Sequence, residues 1–133
     1  MNSAKILSLF VLFVCVSTLA CRSVGERTAY LAEHGQGYWR PAKRINGFDV
    51  REFIVNEHVF EREWRSNGAL KKREGLREDG SLHSIHEFRG AEETHRIFKK
   101  NGKLSVLWKE AGGRQVFWQT YGENGEVLTT VRN

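Results

Sequence analysis

A short repeat in the second half of the chain constrains the fold more than any other feature. Each copy has a bulky apolar residue, two mostly polar residues, Asn-Gly or Asp-Gly, one further residue and an aliphatic residue. The copies lie at residues 64–70 (WRSNGAL), 76–82 (LREDGSL), 98–104 (FKKNGKL) and 121–127 (YGENGEV). Asn-Gly and Asp-Gly between apolar runs are strong β-hairpin signals, because both residues tolerate positive φ. Four copies indicate an internal repeat built from hairpins.

The flanking spacing predicts the type of turn. In a three-residue loop, the glycine takes the left-handed position as a bulge, and Trp64 lies opposite Leu70 on the same face. A two-residue loop would put these two residues on opposite faces. All four copies give the same-face pair, so we predict the three-residue loop throughout. The residues with this structural role are Trp64, Asn67, Gly68, Leu70, Asp79, Gly80, Phe98, Asn101, Gly102, Leu104, Tyr121, Asn124 and Gly125.

A second series of turn glycines, at Gly90 and at Gly112-Gly113, alternates with the first. Neighbouring turns are therefore about 11 residues apart, which suits short strands joined by short loops. We predict an all-β fold, an antiparallel β-meander of repeated hairpins in an open, curled sheet. No sustained helical period is visible after the first 20 residues. The expected strands are residues 48–55, 59–65, 69–76, 82–88, 92–99, 104–109, 114–121 and 126–132.

The N-terminus resembles a signal peptide. Lys5 precedes an apolar run at residues 6–20 (ILSLFVLFVCVSTLA), which is shorter than the ~20 residues that span a bilayer. A removed signal at residues 1–20 is favoured over an uncleaved anchor. Residues 21–44 are then expected to be a polar tether and an irregular segment with at most one helical turn. Residues 45–133 form the repeat domain.

Two cleavage mechanisms fit the end of the signal. An ordinary signal peptidase would cut after Ala20, whereas Leu-Ala-Cys also resembles a lipobox, in which Cys21 receives a diacylglycerol. Thr18 and Leu19 depart from the usual lipobox pattern. We favour lipidation because Cys15 leaves with the signal, so Cys21 has no disulfide partner within the chain. The alternative is a free or intermolecularly paired thiol.

The repeat resembles the MORN (membrane occupation and recognition nexus) family in its bacterial variant, over residues 59–133. That variant has an aromatic residue, two polar residues, Asn-Gly and a leucine, followed by a second strand. The resemblance implies an antiparallel meander of hairpins. Bacterial members include antitoxins and surface or envelope proteins. An antitoxin acts in the cytoplasm, which the signal peptide argues against.

Catalytic and metal-binding patterns are absent from the sequence. His83 and His86 lie three residues apart, and such positions on a strand point to opposite faces. Serines lack the G-x-S-x-G context of a nucleophile elbow. Strand glutamates such as Glu61 and Glu63 are expected to face solvent. We therefore expect no enzyme, no metal site and no cofactor.

Two groups of residues are candidates for a binding surface. Lys71, Lys72 and Arg73 form a basic cluster that suits anionic lipid headgroups, although a solvated strand face is favoured. Trp118 and Tyr121 are predicted to lie on opposite faces, so that one of them is exposed, whereas Trp64, Phe98 and Trp108 are expected in the core. The net charge of +5 is mild, and we expect no nucleic-acid partner.

These observations favour a non-catalytic lipoprotein, anchored in a bacterial cell envelope, whose repeat sheet binds or scaffolds a protein or a membrane-surface partner. The alternative is a secreted or periplasmic β-barrel that binds a small apolar ligand. A barrel needs one continuous apolar face in every strand. Residues 69–76 (ALKKREGL) and 92–99 (EETHRIFK) lack one, which favours the open sheet.

Overall fold

The chain folds into one open antiparallel sheet, which confirms the predicted meander. The computed structural model describes residues 23–133, so the predicted signal peptide and Cys21 lie outside the described residues. Within that range the strands follow one another across the sheet, and its two outer edges do not pair. A closed barrel is therefore wrong for this chain. The strands are β1 (Tyr38–Trp39), β2 (Lys43–Ile45), β3 (Phe48–Val55), β4 (His58–Ser66), β5 (Ala69–Leu76), β6 (Leu82–Arg89), β7 (Glu92–Phe98), β8 (Leu104–Ala111), β9 (Arg114–Tyr121) and β10 (Val127–Arg132).

Three of the four repeat copies form the predicted three-residue loop. At each, the glycine N–H donates to the carbonyl three residues earlier, over 2.9 to 3.1 Å. The three glycines have φ between 81° and 83°, the left-handed conformation that glycine adopts most readily. The flanking apolar residues pair across the strands as expected: Leu76 with Leu82, Phe98 with Leu104, and Tyr121 with Val127.

The first copy forms a different turn, and the prediction for it is wrong. Its loop contains only Asn67 and Gly68, with φ of 49° and 78°, as in a type I′ turn. A bulge follows on β5, so that Trp64 pairs with Lys72 and not with Leu70.

The first copy also differs from the other three in its position in the meander. Successive turns lie alternately at the two ends of the strands. The Gly68 turn lies at the same end as the turns at Gly90 and Gly113, which also have two-residue loops. The three-residue loops all lie at the opposite end. The sequence WRSNGAL therefore belongs to the second glycine series in spite of its likeness to the first.

A helix occupies the segment that was predicted to be a polar tether. This helix, α1 (Val24–Glu33), begins with a capping box at Ser23 and Glu26. Ser23 Oγ accepts a hydrogen bond from the Glu26 N–H, and the Glu26 carboxylate accepts one from the Ser23 N–H. The motif S-x-x-E was the available signal. The sequence of the helix has no apolar stripe that would reinforce this signal. Only Val24 and Thr28 of the helix are buried.

The helix lies across β4 and β5 on one face of the sheet, called here the helix face; the opposite side is the outer face. Gly75 on β5 permits this contact. A Cβ atom at Gly75 would lie 2.8 Å from Val24 Cγ2 and 2.5 Å from Ser84 Oγ, closer than packed atoms allow. Three of the four buried apolar residues on strands, Val50, Phe53 and Ile54, belong to β3, so the densest packing is in the N-terminal half.

The N-terminal edge of the sheet is interrupted. β1 and β2 both pair with β3, one along each half of that strand. Pro41 lies between them, which agrees with the expectation that it lies outside the ladder or at an edge. The two short strands together cover β3, so this edge offers little continuous backbone.

Candidate functional site

One row of side chains crosses the helix face from β3 to β10. A meander produces such rows because residues at matching register positions point to the same face. The ionic part of the row lies on β3 to β5, and its aromatic part lies on β6 to β9. In strand order the members are Arg51, Glu63, Arg73, His86, His95, Trp108, Trp118 and Val131.

Glu63 is the centre of the ionic part. Its side chain is 2% exposed and accepts hydrogen bonds from Arg51 Nε at 2.8 Å, Arg73 Nε at 3.2 Å and Arg65 Nη2 at 3.3 Å. Burial alone would raise the pKa of this carboxyl group. The hydrogen bond from Arg51 and the charges of the three arginines together lower that pKa below its ordinary value.

Glu61, two residues earlier on β4, is also buried but has a weaker set of partners. Its Oε2 accepts a hydrogen bond from the Thr28 hydroxyl of α1. Its Oε1 lies 3.3 Å from Arg73 Nε without an aligned hydrogen bond. Burial outweighs these interactions and raises the pKa of Glu61. The expectation that Glu61 and Glu63 face solvent is therefore wrong, because Thr28 of α1 hydrogen-bonds to Glu61 and arginines compensate the charge of both carboxylates.

The aromatic part of the row is a continuous stack of rings. The His86 and His95 centroids are 3.6 Å apart, and His95 is nearly parallel to Trp108 at 4.4 Å. Trp118 continues the stack at 5.4 Å from Trp108. Trp108 is buried, as predicted, because a ring lies on each side of it. Trp64 and Phe98, the other predicted core residues, are half-buried.

Two acidic side chains lie beside the histidine pair. Glu93 Oε2 accepts a hydrogen bond from His86 Nε2 at 3.0 Å and lies 3.5 Å from His95 Nε2. Glu110 Oε2 lies 3.9 Å from the same nitrogen of His95. A separation of 3.5 Å is too long for a good hydrogen bond, and His95 Nε2 and His86 Nδ1 have no partner among the described residues.

Both imidazoles are neutral at pH 7. Burial lowers the pKa of His86 to about 4, and the nearby charge of Arg73 adds to this effect. Burial also lowers the pKa of His95 to about 4, helped by His86 and opposed by Glu93. His86, Glu93 and His95 each offer one ligand atom to a metal ion, and these atoms all lie within 4.8 Å of one another.

The sequence does contain a signal for the histidine pair. His86 and His95 lie at equal distances from the two-residue turn at Gly90 and Ala91, so a hairpin with that turn places them directly opposite each other. The pair considered from spacing, His83 and His86, is not formed. His83 instead lines a groove of about 430 Å³ beside α1.

The residues predicted as a binding surface are not brought together. Arg73 is held by the buried glutamates, and Trp118 ends the ring stack. Lys72 lies on the outer face, with its ammonium group 4.3 Å from the centre of the Trp64 ring. Lys71 is exposed. Trp118 and Tyr121 are both half-buried, so the prediction that one of them is exposed is wrong. The Tyr121 hydroxyl donates a hydrogen bond to Gln119.

The C-terminal edge of the sheet differs from the rest of the molecule. β10 pairs with β9 alone within residues 23–133, and all six of its residues are exposed. Three of them are large and apolar: Val127 at 53% exposure, Leu128 at 63% and Val131 at 42%. Protective features of sheet edges, such as lysines or proline, are absent from this strand, although it has a bulge between Val127 and Thr129.

Comparisons with known proteins give no family. No protein-family model matches the chain, and no significant match is found among curated proteins. The MORN resemblance therefore stays a prediction. In the part of the chain that the structure describes, no helix has the length and apolar character needed to cross a membrane.

Proposed function

We propose that this chain is a non-catalytic binding protein of a bacterial cell envelope, whose sheet takes up an extended segment of a partner protein along β10. The observation that carries the proposal is the free edge of β10. Its outward N–H and C=O groups form a template for another strand, and added strands are a common mode of peptide recognition.

The side chains of β10 suggest the chemistry of the partner. Val127, Leu128 and Val131 are exposed by 42% to 63%, and Arg132 is the one charged residue of the strand. An extended segment with apolar side chains would cover these residues while its backbone completes the hydrogen bonds. The partner would therefore be an uncharged, β-branched or aromatic-rich strand from another protein.

The proposed location rests on residues 1–20 and on Cys21. A diacylglycerol on Cys21 would anchor the protein to a membrane. Cys21 precedes the first residue of α1, Val24, by three positions, so the lipid would be at most about 10 Å from the start of the helix. Such a short connection would hold the sheet at the membrane surface.

Lysine substitutions on the free edge strand β10 test the partner-binding role. The double variant Leu128→Lys/Val131→Lys places two lysines on β10. Natural proteins use lysines on edge strands to prevent the addition of another strand. The matched control is Gln115→Lys, an exposed position on the neighbouring strand β9. After cross-linking in the native envelope, we expect one defined adduct in the wild type and in the control, and none in the β10 variant. An adduct that persists in the β10 variant, or no adduct in the wild type, contradicts the proposal.

The location is tested by the mass of the mature protein from the native membrane fraction. We expect a chain that begins at Cys21 and carries diacylglycerol plus an acyl chain, and a Cys21→Ala variant that is soluble or unprocessed. A soluble mature protein with a free Cys21 thiol would refute lipidation. The β10 experiment would then still test partner binding, but for a secreted protein.

A further inference from the structure

We propose that His86, His95 and Glu93 form a binding site for a divalent transition-metal ion, with Zn²⁺ as the preferred ion. The site lies on the helix face, on the paired strands β6 and β7. It does not depend on the proposed partner at β10, because none of its residues belongs to β9 or β10.

The ligand chemistry and the spacing suit zinc. Two imidazole nitrogens and one carboxylate are a common zinc ligand set, which leaves a fourth position for water. With metal–ligand distances of about 2.0–2.1 Å, the ligand atoms of a tetrahedral site are about 3.3 Å apart. The Glu93 oxygen lies 3.0 Å from His86 Nε2 and 3.5 Å from His95 Nε2, on either side of that value.

The unsatisfied groups at the site point to a missing ligand. His95 is 8% exposed, and its Nε2 has no hydrogen-bond partner among the described residues. A buried polar nitrogen without a partner is destabilising. A cation between His95 and Glu93 would satisfy this nitrogen.

The charges around the site favour a divalent cation. With both imidazoles neutral, the carboxylates of Glu93 and Glu110 supply two negative charges within 3.9 Å of His95 Nε2. The nearest cation of the row, Arg73, is held by the carboxylates of Glu61 and Glu63. These two carboxylates offset the repulsion between Arg73 and a dication at the histidine pair, and Glu93 and Glu110 neutralise the ion locally.

Binding requires the two rings to turn within the stack of aromatic side chains. They are stacked with their planes 30° apart, so each must turn about its Cβ–Cγ bond to direct Nε2 at the ion. The proton on His86 Nε2 moves to Nδ1 of the same ring, which keeps the imidazole neutral and frees the lone pair. The Glu93 side chain is 37% exposed, which gives the ion a route from solvent.

Titration calorimetry with ZnCl₂ on the purified mature chain tests the proposal. We expect one equivalent of Zn²⁺ to bind the wild type. Glu93→Gln keeps the shape and the hydrogen bond to His86 but removes the charge, and should weaken binding at least tenfold, as should His95→Gln. The matched controls are Glu92→Gln, one residue away on β7, and His83→Gln, a histidine outside the cluster. Both should bind as the wild type does.

A second measurement separates loss of metal binding from loss of the fold. Circular dichroism of each metal-free variant shows whether the sheet is intact, and Glu93→Gln is expected to retain it because this side chain is partly exposed. Co²⁺ bound at the same site should give intense visible absorption in the wild type that disappears in folded Glu93→Gln. Wild-type protein that binds no Zn²⁺, or folded Glu93→Gln that binds as tightly as the wild type, overturns the proposal.

Discussion

Glu61 and Glu63 are both buried on β4, but replacing each by glutamine is expected to have opposite effects. Glu63→Gln leaves three guanidinium groups around a neutral amide. Removing one partner from a buried ion pair destabilises by about 3–5 kcal/mol. The side chains of Arg51, Arg65 and Arg73 keep 37%, 34% and 24% exposure, so water compensates in part. We therefore expect Glu63→Gln to lower the free energy of unfolding by about 3 kcal/mol, which is the low end of that range.

Glu61→Gln removes a carboxylate whose charged form is disfavoured by burial. The amide oxygen of glutamine still accepts the hydrogen bond from Thr28. Replacing a buried charge by a neutral group of similar volume is often neutral or stabilising. We therefore expect the free energy of unfolding to stay the same or rise by about 1 kcal/mol.

Urea denaturation at pH 7, followed by tryptophan fluorescence, measures both effects. The control is Asp49→Asn, which breaks an exposed ion pair with Arg44. The side chain of Asp49 is 47% exposed and that of Arg44 is 62% exposed. That change should cost less than about 1 kcal/mol. The reasoning is refuted if Glu63→Gln is no more destabilising than the control, or if Glu61→Gln is as costly as Glu63→Gln.

The pH dependence of these differences has a definite sign. The folded-state pKa of Glu63 is below its ordinary value of 4.5, so its contribution is complete above pH 4.5 and is lost as the pH falls through the lower, folded-state pKa. For Glu61 the pKa is raised above 4.5. The advantage of Glu61→Gln should therefore be present at neutral pH and disappear as the pH falls through that raised value.

Three further substitutions test the local structure by thermal denaturation. Ser23→Ala removes the cap of α1 and should cost about 1 kcal/mol, with a loss of helical circular dichroism. Gly75→Ala forces a methyl group against Val24 and Ser84 and should cost about 1–3 kcal/mol. Gly68→Ala puts an alanine at φ 78° and should cost about 1–2 kcal/mol. An unchanged melting temperature for any variant would contradict the structural reason given for its cost.

The sheet was predictable because turn chemistry is local. Each predicted strand lies within two residues of an observed one, since glycines with positive φ fix where the chain reverses. The loop at Asn67-Gly68 was mispredicted for a non-local reason. Its residues fit either loop length, so the outcome depends on how β4 and β5 pair beyond the turn.

The pattern of residues within one strand could not predict the buried charges or the histidine pair. β4 carries Glu61 and Glu63 inward, which a hydrophobicity pattern assigns to solvent. Their burial is acceptable because Arg51 and Arg73 come from the two flanking strands. Strand pairing had to be known first, and so did the position of α1. The same applies to His86 and His95, which meet only when the turn between them contains two residues.

The sequential strand order has a consequence for how the molecule folds and changes. Apart from β1, β2 and α1, strong contacts join strands that are consecutive in the chain, so the loops closed during folding are short and little entropy is lost in each. Any hairpin can serve as a nucleus, and the sheet can grow outward from it in both directions. For the same reason, duplication of the unit between Gly80 and Gly102 would insert two strands without changing the pairing of the others.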